Sequence, residues 1–173
     1  MTSGVEVLST PRLLLRHLCA ADASFMLELL NEKPFLLNIG DRGVRTVADA
    51  AADILSGPVA SYEKFGFGLY AVEPKESGAP IGICGLLKRE TLDDVDIGFA
   101  FLRKFWGQGY AYESAAAVMD YGWTKVGLNR IVAITAPENH ASIELLEKIG
   151  LRFEKMIQMP GHESESKLFA SEK

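Results

Sequence analysis

Residues 95 to 136 constrain the fold of this chain more than any other stretch. Val95 to Leu102 alternates in side-chain character as a strand does, and Arg130 to Ala136 is a run of β-branched and apolar residues that reads as a buried strand. Between them lies the turn Trp106-Gly107-Gln108-Gly109-Tyr110-Ala111. A long helical pattern then runs from about Gly109 to Val126, with Ala115, Val118, Met119 and Trp123 at core spacing. A crossover of this length joins parallel neighbours in one sheet.

The flanking segments do not repeat that unit. Thr10-Pro11-Arg12 opens a strand through about His17. Asp22 is the expected N-cap of a short helix carrying Phe25, Met26, Leu29 and Leu30. Glu32 to Arg45 reads as irregular. Thr46 caps a second helix that Gly57-Pro58 interrupts. Phe67 to Val72, Ile81 to Lys88 and Val95 to Leu102 are separated by short turns and form an antiparallel meander. Asn139 to Ile149 is a helix stopped by Gly150, and Phe153 to Met159 and Lys167 to Ala170 are closing strands. The expectation is α+β: one central mixed sheet of about seven strands with about four helices. The whole of 1–173 forms a single domain, with its core at about 9–170.

Charge and composition narrow the function. Eighteen Lys+Arg against 23 Asp+Glu leave a net charge of −5. That argues against a surface built to track a nucleic-acid backbone. No apolar run exceeds about ten residues, against roughly 18 for a membrane span, and Met1 to Leu18 has no signal-peptide character. Cys19 and Cys84 are too few for a disulfide framework or a zinc site, so no metal is expected. The expected location is the cytoplasm.

The glycine turn carries the chemistry. Helix N-termini present unpaired N–H groups and a partial positive charge, and glycines let the main chain approach an anion. Arg103 and Lys104 lie just upstream. A phosphate-bearing ligand is the physical expectation. The turn lacks the Gly-Lys-Ser/Thr end of a Walker A loop. It also lacks the third glycine of a dinucleotide fingerprint, because Tyr112 follows Gly107-x-Gly109.

Three runs together resemble a known family: Asp96-Ile97-Gly98-Phe99-Ala100-Phe101; Trp106-Gly107-Gln108-Gly109-Tyr110-Ala111-Tyr112-Glu113; and Pro137-Glu138-Asn139-His140-Ala141-Ser142 through Leu151. They are similar to the GNAT N-acetyltransferase superfamily, and most similar to its RimJ/RimL-type ribosomal-protein-alanine branch. The opening Thr10-Pro11-Arg12-Leu13-Leu14-Leu15-Arg16 fits that branch as well. The resemblance implies a twisted mixed sheet, the acyl-CoA N-acyltransferase fold, whose fourth and fifth strands (about 95–102 and 130–136) splay apart. It implies acetyl-CoA in the gap, with its pantetheine arm on the main chain near Phe101 and Leu102. The pyrophosphate would then sit on the N–H groups from Gly107 through Gln108, Gly109 and Tyr110 to Ala111. Trp106 stands where the superfamily loop usually has Arg or Gln, so no side-chain phosphate contact is expected there.

Acetyl transfer to an amine needs a neutral amine, a polarised thioester carbonyl and support for the departing thiolate. Asp96 shares a strand face with the small Gly98 and Ala100 and is the candidate for assisting deprotonation. Asn139 and Ser142 form an Asn-x-x-Ser unit at a helix start. Asn139 suits an N-cap, and the resemblance adds cofactor contact and thiolate stabilisation for both residues. Tyr110, Tyr112 and Tyr121 are secondary acid candidates. Glu113 suits the helix dipole. His17, His140 and His162 are isolated, and the two cysteines read as packed thiols. The leading reading is direct acetyl transfer from acetyl-CoA to a primary amine in a ternary complex, the acceptor being a protein or peptide N-terminus or a small-molecule amine. The rivals are a non-catalytic acyl-CoA sensor and a nucleotide-dependent oxidoreductase. Acceptor pockets are expected from Glu32 to Arg45 and Met159 to Lys167.

Overall fold

The computed structural model describes residues 4–173; residues 1–3 of the expected 1–173 domain lie outside the described residues. Among the described residues one eight-stranded sheet organises the fold. Its strands are β1 (Glu6–Ser9), β2 (Leu13–His17), β3 (Leu69–Pro74), β4 (Gly82–Leu87), β5 (Asp96–Phe101), β6 (Arg130–Thr135), β7 (Arg152–Ile157) and β8 (Ser166–Glu172). They lie in the order β1-β2-β3-β4-β5-β6-β8-β7. Every neighbouring pair is antiparallel except β5 and β6. The helices are α1 (Ala23–Leu30), α2 (Lys33–Asn38), α3 (Val47–Ile54), α4 (Ala60–Phe65), α5 (Tyr110–Tyr121) and α6 (His140–Lys148).

Strand alternation divides the core. Tyr70 and Val72 on β3 face one cluster, with Leu13, Leu15, Leu86, Ala115, Val118, Ile131 and Leu146. Ala71, between them, faces the other, with Met26, Leu29, Leu30, Phe35, Ile54 and Ile83. Along β5 the same split places Val95, Ile97 and Phe101 on the α5 side and Ala100 and Leu102 on the α1–α3 side. The β4–β5 register runs unbroken from Gly82↔Phe101 to Leu87↔Asp96, so no bulge disturbs the expected alternation.

Four local expectations are corrected. The sheet has eight strands, because the short edge strand β1 precedes Thr10. Its sequence, EVLS, is half exposed and irregularly paired, so it carries little pattern. The stretch after Glu32 contains α2, with Pro34 in its first turn, where a missing N–H costs nothing. Gly57-Pro58 does not end the second helix. A π-helical turn over Leu55–Val59 takes up Pro58 and continues into α4. Asp22 occupies the N-cap position of α1 but makes no cap bond into it. Its carboxylate accepts instead from the Cys19 N–H and from both terminal nitrogens of Arg16 at 2.9 Å, while Arg16 Nε donates to Glu73 at 3.0 Å. This buried triad ties β2, β3 and the entry to α1 together. Thr46 caps α3 as expected, accepting from the Asp49 N–H.

Candidate functional site

The gap in the sheet sits where the parallel pair begins. β5 and β6 meet at a single pair, Asp96↔Val132, with the Val132 N–H donating to Val95 O at 3.0 Å. Beyond it the strands part, and a cleft of about 1280 Å³ opens between β5, β6, α6 and the turn before α5. Bonding to β4 alternates along β5. The Leu102 N–H donates to Ile81 O, so Phe99 turns its N–H and C=O away from β4, toward the gap, where β6 provides no partner. The Phe101 N–H points the same way. Its carbonyl already accepts from Trp106 Nε1 at 2.9 Å.

This refines the expected pantetheine edge. Leu102 offers nothing to a ligand: its N–H is bound to Ile81, its carbonyl accepts from Phe105, and its side chain is buried on the α1–α3 side. The free groups lie at Phe99 and Phe101. Trp106, half exposed, spends its indole N–H on strand β5.

The turn has the geometry an anion needs. Gly107 (φ +77°) and Gly109 (φ +81°) are both left-handed, and Gly109 is the N-cap of α5. The Glu113 N–H makes the first bond back, to Gly109 O, so those of Tyr110, Ala111 and Tyr112 lack intrahelical acceptors. Gly107, Gly109, Tyr110 and Ala111 line the cleft; Gln108 does not. The structure adds a cation to the two expected upstream of the turn. Lys104 reaches Glu28 at 3.7 Å. A guanidinium against the turn belongs to Arg12, whose Nη1 donates to Gln108 O at 2.9 Å and whose Cζ lies over the Tyr110 ring. Its partner is Glu113, which therefore does more than face the helix dipole.

At the other end of β5, Asp96 is 1% exposed and lines the cleft. Arg89 Nε donates to its Oδ1 at 3.0 Å. Burial pushes the Asp96 carboxyl above its ordinary value, against the opposing pull of Arg89. The spacing of residues 89 and 96 across a hairpin carries no distinctive sequence signal, and the pair was not legible without the fold.

Asn139 caps α6, accepting from the Ser142 N–H at 3.3 Å, and both residues line the cleft. Tyr110 and Tyr112 line it too, whereas Tyr121 packs edge-on against Tyr70 in the core. His17 stacks on Tyr62, His140 starts α6 on the outside, and His162 lies on the cleft rim. Cys84 is fully buried, and burial pushes its thiol up to about 12. Segments from both 32–45 and 159–167 reach the cleft. Among the described residues, no group of three or more His, Cys, Asp or Glu is placed to hold a metal, and no helix is long and apolar enough to cross a membrane.

Comparison with known proteins agrees with this geometry. Residues 12–152 match the family model described as an acetyltransferase (GNAT) domain. An uncharacterized N-acetyltransferase, YnaD of Bacillus subtilis, is 31% identical over 147 residues, 85% of this chain and 83% of that protein. The chain spans about half the length of two further curated relatives it matches, 56% and 51%. Among solved structures, an acetyltransferase from Agrobacterium tumefaciens superposes with a TM-score of 0.83 at 21% identity, covering 100% of this chain and 98% of that one. RimL, a ribosomal L7/L12 alpha-N-protein acetyltransferase in complex with coenzyme A, does so at 0.81 and 15% identity, covering 96% and 97%. These two likenesses are of fold.

Proposed function

The chain belongs to the GNAT acetyltransferase domain family, and on that premise we propose that it transfers the acetyl group of acetyl-CoA directly to a primary amine in a ternary complex. The observation that carries this reading is the splayed β5–β6 edge opening onto a glycine turn at a helix N-terminus. The free main-chain groups at Phe99 and Phe101 suit the amide-bearing pantetheine arm. Gly107, Gly109 and the first N–H groups of α5 suit a pyrophosphate. A side chain at Gly107 would meet no steric obstacle, so the left-handed backbone alone selects glycine there.

Within the cleft, Asp96 is the group that assists loss of a proton from the acceptor ammonium, directly or through water. A carboxylate raised by burial holds a proton more strongly than an exposed one and is the better base. Ser142 supports the departing thiolate, and Asn139 orients the start of α6 and touches the cofactor. The acceptor we favour is a protein or peptide N-terminal α-amine, in keeping with RimL, a ribosomal L7/L12 alpha-N-protein acetyltransferase. Release of CoA thiol over a panel of N-terminal peptides, lysine peptides and small amines tests the reading. Turnover of one class identifies the acceptor. CoA binding with no thiol release across the panel would identify a sensing module and overturn it.

A further inference from the structure

Gln108, between the two glycines of the cofactor turn, and Glu113, in the first turn of the helix that follows, are both held from behind by a residue about a hundred positions away. The β1–β2 hairpin turn, Thr10 to Arg12, docks on the first turn of α5. Arg12 Nε donates to Glu113 Oε1 at 2.7 Å, and the Arg12 N–H donates to Glu113 Oε2 at 3.0 Å. The Thr10 hydroxyl donates to that same oxygen. Arg12 Nη1 donates to Gln108 O, and the guanidinium carbon lies 4.6 Å from the centre of the Tyr110 ring. Its Nη2 stands 3.2 Å from where a Cβ on Gly109 would project. One side chain thus engages Gln108, Tyr110 and Glu113 and stands close behind Gly109.

Arg12 itself does not line the cleft; Gly107, Gly109, Tyr110 and Ala111 do. Its charge is matched by Glu113, and the pair is partly open to water, with side chains 47% and 19% exposed. An exposed pair of this kind adds little to global stability. Its geometric demand is high, however. A planar fork must meet a carboxylate and a main-chain carbonyl at once, which lysine cannot reproduce. Left-handed glycines leave a turn conformationally free, so the order required to present several N–H groups together has to come from outside the turn.

We propose that Arg12, acting with Glu113, is a positioning residue for the phosphate-binding turn: it fixes the main-chain N–H groups that receive the pyrophosphate of CoA and contacts neither the pantetheine arm nor the acceptor. This rests on acetyl-CoA being the acetyl donor.

The test separates the two ends of the cofactor. Binding of CoA and of pantetheine, which lacks the pyrophosphate, is measured by calorimetry on the full chain and on Arg12→Gln, Arg12→Lys and Glu113→Gln. Each variant is expected to weaken CoA about tenfold and to leave pantetheine affinity within about twofold. Lysine is expected to fail as glutamine does, because the fork and not the charge is required. Arg12→Gln/Glu113→Gln is expected to lose no more than either single change, as coupled partners do. In turnover the loss is expected in KM for acetyl-CoA rather than in kcat. Equal weakening of both ligands, unchanged CoA affinity, or full rescue by lysine would overturn the assignment. Should Arg12→Gln melt at a temperature too low to assay, Glu113→Gln carries the same comparison, since it keeps the side-chain volume. A parent protein that binds no CoA would instead remove the acetyl-CoA reading and this assignment with it.

Discussion

Arg89 Nε lies 3.0 Å from Asp96 Oδ1, so a carboxylate almost sealed in the cleft floor is held by a guanidinium that reaches solvent. The two have opposite effects on proton affinity. Burial raises the Asp96 carboxyl and Arg89 lowers it, with burial dominant. If Asp96 is the base, Arg89→Gln removes the lowering influence and moves the acid limb of the kcat/KM profile to higher pH. Asp96→Asn removes that limb and lowers turnover by a factor of roughly 10²–10⁴ for a group of this kind, most in the pH window where Asp96 is ionised and the acceptor is still protonated. Rates within about threefold of the parent, with the limb unmoved, would exclude both residues from the mechanism.

The same pair makes a stability prediction of known sign. The folded-state pKa of Asp96 is raised, so the folded form binds its proton more tightly than the unfolded chain does. The contribution is present below the unfolded value near 3.9 and is lost as pH rises through the folded value. Asp96→Asn, which carries no charge to bury, should therefore melt no lower than the parent at pH 7–8. Any advantage should shrink toward pH 3. A variant that melts far below the parent at neutral pH would show that Arg89 outweighs burial.

Asp22 behaves oppositely. Burial opposes its ionisation, but the Arg16 and Cys19 hydrogen bonds win and hold its carboxyl below the ordinary value. Its stabilisation is present above the unfolded value and is lost as pH falls through the lowered one. Asp22→Asn leaves buried Arg16 with Glu73 as its remaining carboxylate partner, and breaking such a pair costs about 3–5 kcal/mol. Denaturant unfolding at pH 7 and at pH 3 should show a large difference from the parent that narrows in acid.

What the sequence made legible follows the range of each signal. The parallel crossover, the meander, the face assignment of Asp96 and the Asn139 cap all depend on near neighbours, and the fold retains them. Arg12, Arg16 and Arg89 have roles set by partners 96 to 101, 6 to 57 and 7 residues away, across strands whose register no local pattern specifies. That Leu102 has no main-chain group to spare was hidden in the sequence for a related reason. Which main-chain groups of β5 are free depends on its bonding phase with β4, and hydrophobicity does not encode that phase.

At the turn, Gly109→Val should weaken CoA by at least tenfold while the protein stays folded. The φ of +81° is costly for any β-branched residue, and the new side chain would press on Arg12 Nη2. Calorimetric affinity equal to the parent's would remove this turn as the phosphate site. Ser142→Ala should lower turnover across the whole pH range, because support for the leaving thiolate is lost whatever the state of the amine. A loss confined to one limb would place Ser142 in proton transfer to or from the acceptor.

The acceptor amine can be ranked by proton affinity. An α-amino group has a pKa near 7.7–8.0 and a lysine side chain about 10.4, so at pH 7.4 roughly a quarter of the former is neutral against roughly 0.1% of the latter. The difference of about 2.5 units corresponds to about 3.4 kcal/mol that an enzyme acting on lysine must supply through its base or its environment. In this cleft the base candidate is a single carboxylate, Asp96, whose burial strengthens proton uptake while its pairing with Arg89 opposes it. Glu163 and Glu165, on the segment that reaches the cleft from β7 to β8, favour approach of a cationic acceptor without distinguishing the two amines. Peptides with a free N-terminus are therefore expected to outpace internal-lysine peptides with blocked termini, compared at equal acetyl-CoA. The margin should narrow as pH rises toward 9, where the α-amine is already neutral and the lysine fraction still climbs about tenfold per unit. Preference for the blocked lysine peptides at pH 7.4, or for a polyamine or aminoglycoside over both, would show that the acceptor pocket overrides this proton-affinity difference and would exclude the N-terminal assignment.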